Sequence, residues 1–328
     1  MKAYVTRTYG SPDRLRPTEM DRPVPADGEV LVRIRATSVN PYDWHHMRGE
    51  PYVARLLPGG PGLRTPSLRI LGCDMAGRVE AVGRAVSGFG PGDDVYALLE
   101  QGGFAEYVCV PERLLARMPT NLSHEQAAAV PMAGVTALLA VRDRGRVRPG
   151  QSVLVNGASG GVGTFAVQIA RALGARVAGV CGTGNVDLVR SIGAEEVIDY
   201  RTASFPSNGR RYDVLLDVAG SQPLSAYRRV LAPKGTLVLV GGPASRWLQP
   251  AGHVFATLVR GSFASQRVVL ADAVAHTPKR PALETLTELI ERGDVTPVID
   301  RRFSFDEIPA AVAYQELGHA PGKVVVSV

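Results

Sequence analysis

The sequence predicts a two-domain α/β protein: a strand-rich, partly open β-barrel beside a doubly wound parallel sheet. Three observations carry this. The chain has 328 residues, 45% of them hydrophobic, enough for two ordinary cores. Its first third is rich in strands and turns, whereas its middle third alternates short apolar strands with helices. A glycine-rich loop sits where the first strand of that alternating region meets its first helix.

Taken in order, residues 30–36 are aliphatic and β-branched after a turn at Gly28, which reads as a strand. Residues 71–82 read as a strand carrying Gly72 and Gly77, the mark of bulges or close backbone approaches. A turn over residues 88–95 leads into another strand, and residues 102–110 make a further one. In the middle third Ser152–Asn156 is a continuous apolar strand. Residues 163–173 read as a helix, with Phe165, Ile169 and Leu173 on one face. Strands at 176–180, Glu196–Asp199, 214–218 and 236–240, with a helix at 186–192, complete the alternation. Apolar strands between helices predict a parallel sheet covered on both faces. A strand at 266–270, helices at 282–291 and 305–317 and a closing strand Lys323–Ser327 follow. This tail is expected to return to the first domain. The expected boundaries are residues 1–122 with 271–328 for the barrel domain, and 123–270 for the sheet domain.

The net charge is +6. The basic residues are nearly all Arg, with Lys only at Lys2, Lys234, Lys279 and Lys323, and they form no run of five. That spread argues against a nucleic-acid face. Three cysteines, Cys73, Cys109 and Cys181, make no CxxC pair and no even disulfide framework. A reducing compartment, the cytoplasm, is the expectation. The apolar, uncharged stretch at residues 126–141 contains Pro131 and Gly134 and is too short to span a membrane.

A dinucleotide pyrophosphate needs backbone N–H groups brought close at the positive end of a helix. Gly157-Ala158-Ser159-Gly160-Gly161-Val162-Gly163 offers that turn between a buried strand and an amphipathic helix. Gly157, Ser159, Gly160, Gly161 and Val162 are therefore candidate cofactor residues. The second strand runs out at Cys181-Gly182-Thr183, with no acid there to hold a ribose 2′-hydroxyl. That neutral end makes NADPH the expected cofactor, with NADH the alternative. Thr183 and Asn185 can donate to a 2′-phosphate, Tyr200 closes the next strand, and Arg190 or Arg201 could add charge. Helix capping is the competing use of Thr183 and Asn185.

With these residues placed, the whole chain resembles the medium-chain dehydrogenase/reductase superfamily, and within it the zinc-independent quinone oxidoreductase branch. The motifs are Met1-Lys2-Ala3, Ser38-Val39-Asn40-Pro41-Tyr42-Asp43, Gly72-Cys73-Asp74-Met75-Ala76-Gly77 and Gly103-Phe104-Ala105-Glu106-Tyr107. They continue with Ala133-Gly134-Val135-Thr136-Ala137, the glycine loop, Ile192-Gly193-Ala194, Asp199-Tyr200 and Gly322-Lys323-Val324-Val325. The resemblance implies a GroES-like catalytic domain built from both chain ends, an inserted Rossmann domain, and a cofactor lying between them. It also implies Asn40 beside the nicotinamide, Thr136 touching it from the helix below, and Gly241 bordering it. Gly160, Gly161 and Val162 would cradle the pyrophosphate, Thr183 and Tyr200 would face the 2′-phosphate, and Lys323 is counted among the cofactor residues. Two departures stand out. Val186 lies where relatives often carry a phosphate-binding Lys. The zinc branch has Cys where Asn40 stands and His-Glu where Cys73-Asp74 stands, and carries a four-Cys lobe that this chain lacks. Zinc needs about three N or S ligands, so no metal is expected.

The activity implied is hydride transfer to an enone, an enoyl group or a quinone, where conjugation spreads the developing charge. The resulting oxyanion needs a donor such as the Asn40 amide or the Tyr42 hydroxyl. Tyr42 or water would protonate the α-carbon. Asn40 could instead organise the turn before Pro41, and Tyr42 could be a packed aromatic at a helix start. His45 and His46 read as rim or surface residues, and residues 50–67 as either a lid or a long surface loop. Two other functions stay open: an enoyl reductase tailoring a polyketide-like intermediate, and an NADPH-binding structural or regulatory protein without turnover. The partners expected are a small-molecule substrate and, through the apolar strand Arg267-Val268-Val269-Leu270, a second copy of the chain in a homodimer.

Overall fold

A computed structural model describes residues 1–56, 62–67, 69–207, 209–241, 265–271 and 278–328. Residues 57–61 of the expected lid segment lie outside them. The chain forms two units: Met1–Met132 with Pro278–Arg292 and Pro297–Val328, and Ala133–Thr277 with Gly293–Thr296.

The first unit opens with the antiparallel pair β1 (Lys2–Val5) and β2 (Arg16–Glu19). β3 (Glu29–Val39), β4 (Asp74–Val82), β5 (Asp94–Leu98), β6 (Tyr107–Pro111) and β7 (Leu115–Arg117) follow. The second unit contributes β8 (Ser152–Asn156), β9 (Arg176–Cys181), β10 (Glu196–Asp199), β11 (Tyr212–Asp217), β12 (Leu231–Leu239) and β13 (Arg267–Leu270). The chain then returns to the first unit as β14 (Ile299–Ser304) and β15 (Lys323–Ser327).

The large sheet of the first unit runs β14-β15-β3-β4-β5-β7, with β6 pairing β3. Side chains two apart on a strand share a face, so Val30, Val32 and Ile34 of β3 enter one core with Met75, Val79, Val95 and Leu115. A second core gathers Val39, Met47, Leu71, Phe104 and Val324 with the helix Ile308–Glu316. The closing strand thus pairs antiparallel with β3, far away in sequence. This is the GroES-like domain made from both chain ends.

Among the described residues the second unit forms a six-stranded sheet in the order β10-β9-β8-β11-β12-β13, every neighbouring pair parallel. That is the doubly wound Rossmann-like order, which reverses direction between β8 and β11. Its core holds Leu154, Val180, Leu215, Tyr227 and Leu237.

The division points differ from those expected. Residues 123–132 belong with the first unit, because the helix His124–Ala128 packs on β3 and β4 and the Met132 N–H bonds Asp74 (2.7 Å). Residues 271 and 293–296 belong with the second. For 293–296 the reason is a side chain: Gln168 donates to the Thr296 carbonyl (3.0 Å) and accepts from its N–H (2.8 Å). A glutamine that ties down backbone from a distant segment leaves no periodic trace. Among the described residues no helix is long and apolar enough to cross a membrane.

Candidate active site

In the first unit three strand ends meet. Ser38 of β3 is in register with Asp74 of β4 and with Val325 of β15, which brings Asn40, Cys73, Asp74 and Lys323 to one corner. Asn40 leaves β3 in an extended conformation and starts the helix Pro41–Arg48, with Pro41 at its first turn. Asp43 closes the cap from the helix side: its Oδ2 accepts the Asn40 N–H (2.8 Å) and its Oδ1 accepts the Gly72 N–H (3.0 Å). Burial pushes the Asp43 carboxyl up to about 7, the two backbone donors opposing it.

The Asn40 side chain is 3% exposed. Its Nδ2 donates to Asp74 Oδ2 (2.9 Å), to Cys73 Sγ (3.2 Å) and, more weakly, to the Ser38 carbonyl (3.4 Å). Its Oδ1 accepts from the ammonium of Lys323. That ammonium also lies 3.2 Å from Asp74 Oδ2, a pair with side-chain exposures of 4% and 0%. Ser38 Oγ donates to the same oxygen (2.5 Å). Burial drives the Cys73 thiol well above its ordinary range, so it stays protonated. Lys323, expected among the cofactor residues, has its ammonium held by Asn40 and Asp74.

This corner does not fit a zinc ion. Asp74 accepts from Ser38, Asn40, Lys323 and the Met132 N–H, the Asn40 oxygen is taken by Lys323, and Cys73 is a neutral thiol. Among the described residues no group of three or more His, Cys, Asp or Glu is placed to hold a metal.

Tyr42, in the first turn of Pro41–Arg48, lies against His46, ring centroids 4.1 Å apart. The His46 Nδ1 meets the Tyr42 carbonyl (2.9 Å) and the His45 Nδ1 meets the Glu50 carbonyl (3.0 Å). A carbonyl can only accept, so each Nδ1 carries the proton and each Nε2 keeps a lone pair. Burial lowers His45 to about 4 and lowers His46 as well, and both are half-buried rather than fully exposed.

In the second unit the expected cofactor residues gather at the carboxyl ends of the parallel strands, where ligands bind in this architecture. Gly157 follows β8 with φ +90°, a conformation that side chains resist. The helix Gly161–Ala172 begins at once, its cap residue Gly160 having no side chain to satisfy the first-turn N–H groups. A Cβ on Gly163 would stand 2.0 Å from the Gly157 oxygen, so glycine alone lets the helix seat on the loop. These features fit a pyrophosphate: open N–H groups at a helix start, held by a turn with no bulk. Asn185 donates to Ser159 Oγ (3.3 Å), joining the loop to the segment beyond β9. Gly241, beyond β12, bonds back to the Asp217 carbonyl (3.2 Å). Thr136 is buried on the helix Pro131–Leu138.

One acid near this edge was missed. Asp199 ends β10 in register with Cys181 of β9, and its Oδ2 accepts from the Thr183 hydroxyl (2.7 Å). Tyr200 is 59% exposed, its ring beside Gly182. The signal was present, since residues ending neighbouring parallel strands are themselves neighbours.

Two family descriptions match the chain: an alcohol dehydrogenase GroES-like domain over residues 26–120 and a zinc-binding dehydrogenase over residues 192–326. The chain is 33% identical over 326 residues to the chloroplastic quinone-oxidoreductase QR1 of Triphysaria versicolor, covering 95% of this chain and 93% of that one. It is 34% identical to the mitochondrial NAD(P)H oxidoreductase RTN4IP1 of Mus musculus, covering 100% and 89%. The solved CurK enoyl reductase superposes with a TM-score of 0.86 at 25% identity, covering 99% of each chain. The chain belongs to the medium-chain dehydrogenase/reductase superfamily, a family of oxidoreductases. Within it the chain falls in the zinc-independent, quinone oxidoreductase-like branch.

Proposed function

We propose that the chain is a nicotinamide-dependent reductase that acts on an activated C=C bond or a quinone without a metal. The observation that carries this reading is the Asn40 corner, where a lysine ammonium and an aspartate hold a neutral amide in a position that the zinc branch gives to a ligand. The glycine loop would hold the dinucleotide, which supplies a hydride when bound; the names of the relatives support this.

The chain's own part follows from the corner. Lys323 on the carbonyl oxygen of Asn40 draws charge from the amide and strengthens its N–H donors. One N–H goes to Asp74; the other faces only Cys73 sulfur and the long contact to the Ser38 carbonyl, both weak acceptors. That second N–H can turn to an oxygen gaining charge, and an enone or quinone oxygen needs no more than such a donor. Tyr42, or water, delivers the proton to the α-carbon. An enoyl reductase acting on a polyketide-like chain is the second reading, favoured by the likeness to CurK.

The cofactor form turns on the strand ends. The neutral Cys181-Gly182-Thr183 end favours NADPH, and the Asp199 carboxylate on Thr183 weighs against it. Among the described residues β13 is the edge of its sheet and half-buried, which supports a homodimer paired through that strand.

The test is turnover of a panel of quinones, enones and aldehydes, followed by loss of reduced nicotinamide. Asn40→Ala should lower kcat by roughly a hundredfold, the cost of an oxyanion donor, with much less change in cofactor affinity. Flat traces for every substrate would sink the reading, and full turnover by the variant would remove Asn40 from it.

A further inference from the structure

β8, β9 and β10 end side by side, and the residues at and just beyond those ends form one cluster: Ser159, Thr183, Asn185, Asp199, Tyr200 and Arg201. Its hydrogen-bond inventory is lopsided. Thr183 has one hydroxyl proton, and it goes to Asp199 Oδ2 (2.7 Å), so the Thr183 oxygen is left only to accept. The other Asp199 oxygen takes the Arg201 N–H (2.9 Å). Both contacts favour the ionised form, and the Thr183 hydroxyl first of all holds the Asp199 carboxyl below its ordinary range. Asn185 already points one donor at Ser159. At Thr183 the end of β9 therefore presents an acceptor and a fixed negative charge, although β9 itself carries no acid there; the second Asn185 amide hydrogen and the Tyr200 hydroxyl are the donors that oppose it.

A ribose 2′-hydroxyl is a donor and suits such a surface. A 2′-phosphate is a dianion made of acceptors and does not. We propose that the Asp199–Thr183 pair selects a free ribose 2′-hydroxyl over a 2′-phosphate, so that NADH is the preferred coenzyme of this chain. The selecting acid comes from the third strand of the unit and is delivered to the second through Thr183. This rests on the glycine loop holding a dinucleotide. The opposing group is Arg201, whose charge also acts on Asp199.

The test is titration of the full chain with NADH and with NADPH by calorimetry, with no substrate present. Wild-type protein should bind NADH more tightly by roughly tenfold, the scale of one charge acting on a nearby phosphate at partial exposure. Asp199→Asn removes the charge and keeps an acceptor for Thr183, so the ratio should fall by about the same factor, chiefly through tighter NADPH binding. Arg201→Gln removes the cation and should widen the ratio; it gives a second reading should the first variant fold poorly. Tighter wild-type binding of NADPH, or a ratio that neither variant moves, overturns the inference and leaves the dinucleotide reading standing. Binding of neither dinucleotide overturns both.

Discussion

Lys323→Met should lower folding stability by about 3–5 kcal/mol, the cost of leaving a buried carboxylate without its cation. Methionine keeps the length and the apolar stem, so packing is nearly conserved. What is lost is the charge facing Asp74, which has no exposed surface, and the donor to the Asn40 oxygen. The measurement is the denaturant midpoint with a fitted slope. Adding Asp74→Asn should recover part of the loss, because the remaining charge is then removed too, and the double variant should fall short of the sum of the singles. A single variant within about 1 kcal/mol of wild type would show that the pair is not buried as described.

Gly163→Ala should weaken dinucleotide binding by at least about tenfold and cost roughly 1–3 kcal/mol, as forced overpacking does. The added methyl meets the Gly157 oxygen at 2.0 Å and the Ala158 backbone at 2.9 Å, and both are main chain with no rotamer to change. Loop and helix must separate, which moves the first-turn N–H groups from their common target. The change is confined to one end of β8, so the rest of the sheet should keep its fold. Dissociation constants for both dinucleotides, set beside the thermal midpoint, separate the two effects. Unchanged affinity would mean that the loop does not hold the pyrophosphate.

The alternating strands and helices and the glycine loop could be read from sequence because their causes are local: apolar runs, a 3.6-residue period and a strand–glycine–helix order. The Asn40 corner was legible only in part. Asn40, Cys73 and Asp74 stood out as residue types, but the Lys323 partnership spans 283 residues and depends on β15 lying antiparallel to β3. A lysine opening the run Lys323-Val324-Val325-Val326 was nevertheless a flag, since a cation among buried valines needs an anion nearby. The end of the second strand shows no acid in sequence because the acid that stands beside it, Asp199, arrives across the sheet from the third.

The pairing of β15 with β3 also bears on the order in which the molecule takes shape. During synthesis the β15-facing edge of β3 waits for nearly three hundred residues before its partner exists, whereas every strand pair of the inserted sheet closes over a much shorter span. Local contacts form sooner than distant ones. The inserted sheet should therefore mature first, with Val324 and Val326 completing the earlier core only at the end. Until Lys323 arrives, Asp74 lacks its cation, so the last strand to be made both closes that sheet and neutralises its buried charge. A nascent chain stalled before residue 323 should expose the β3 edge and engage chaperones that a full-length chain escapes.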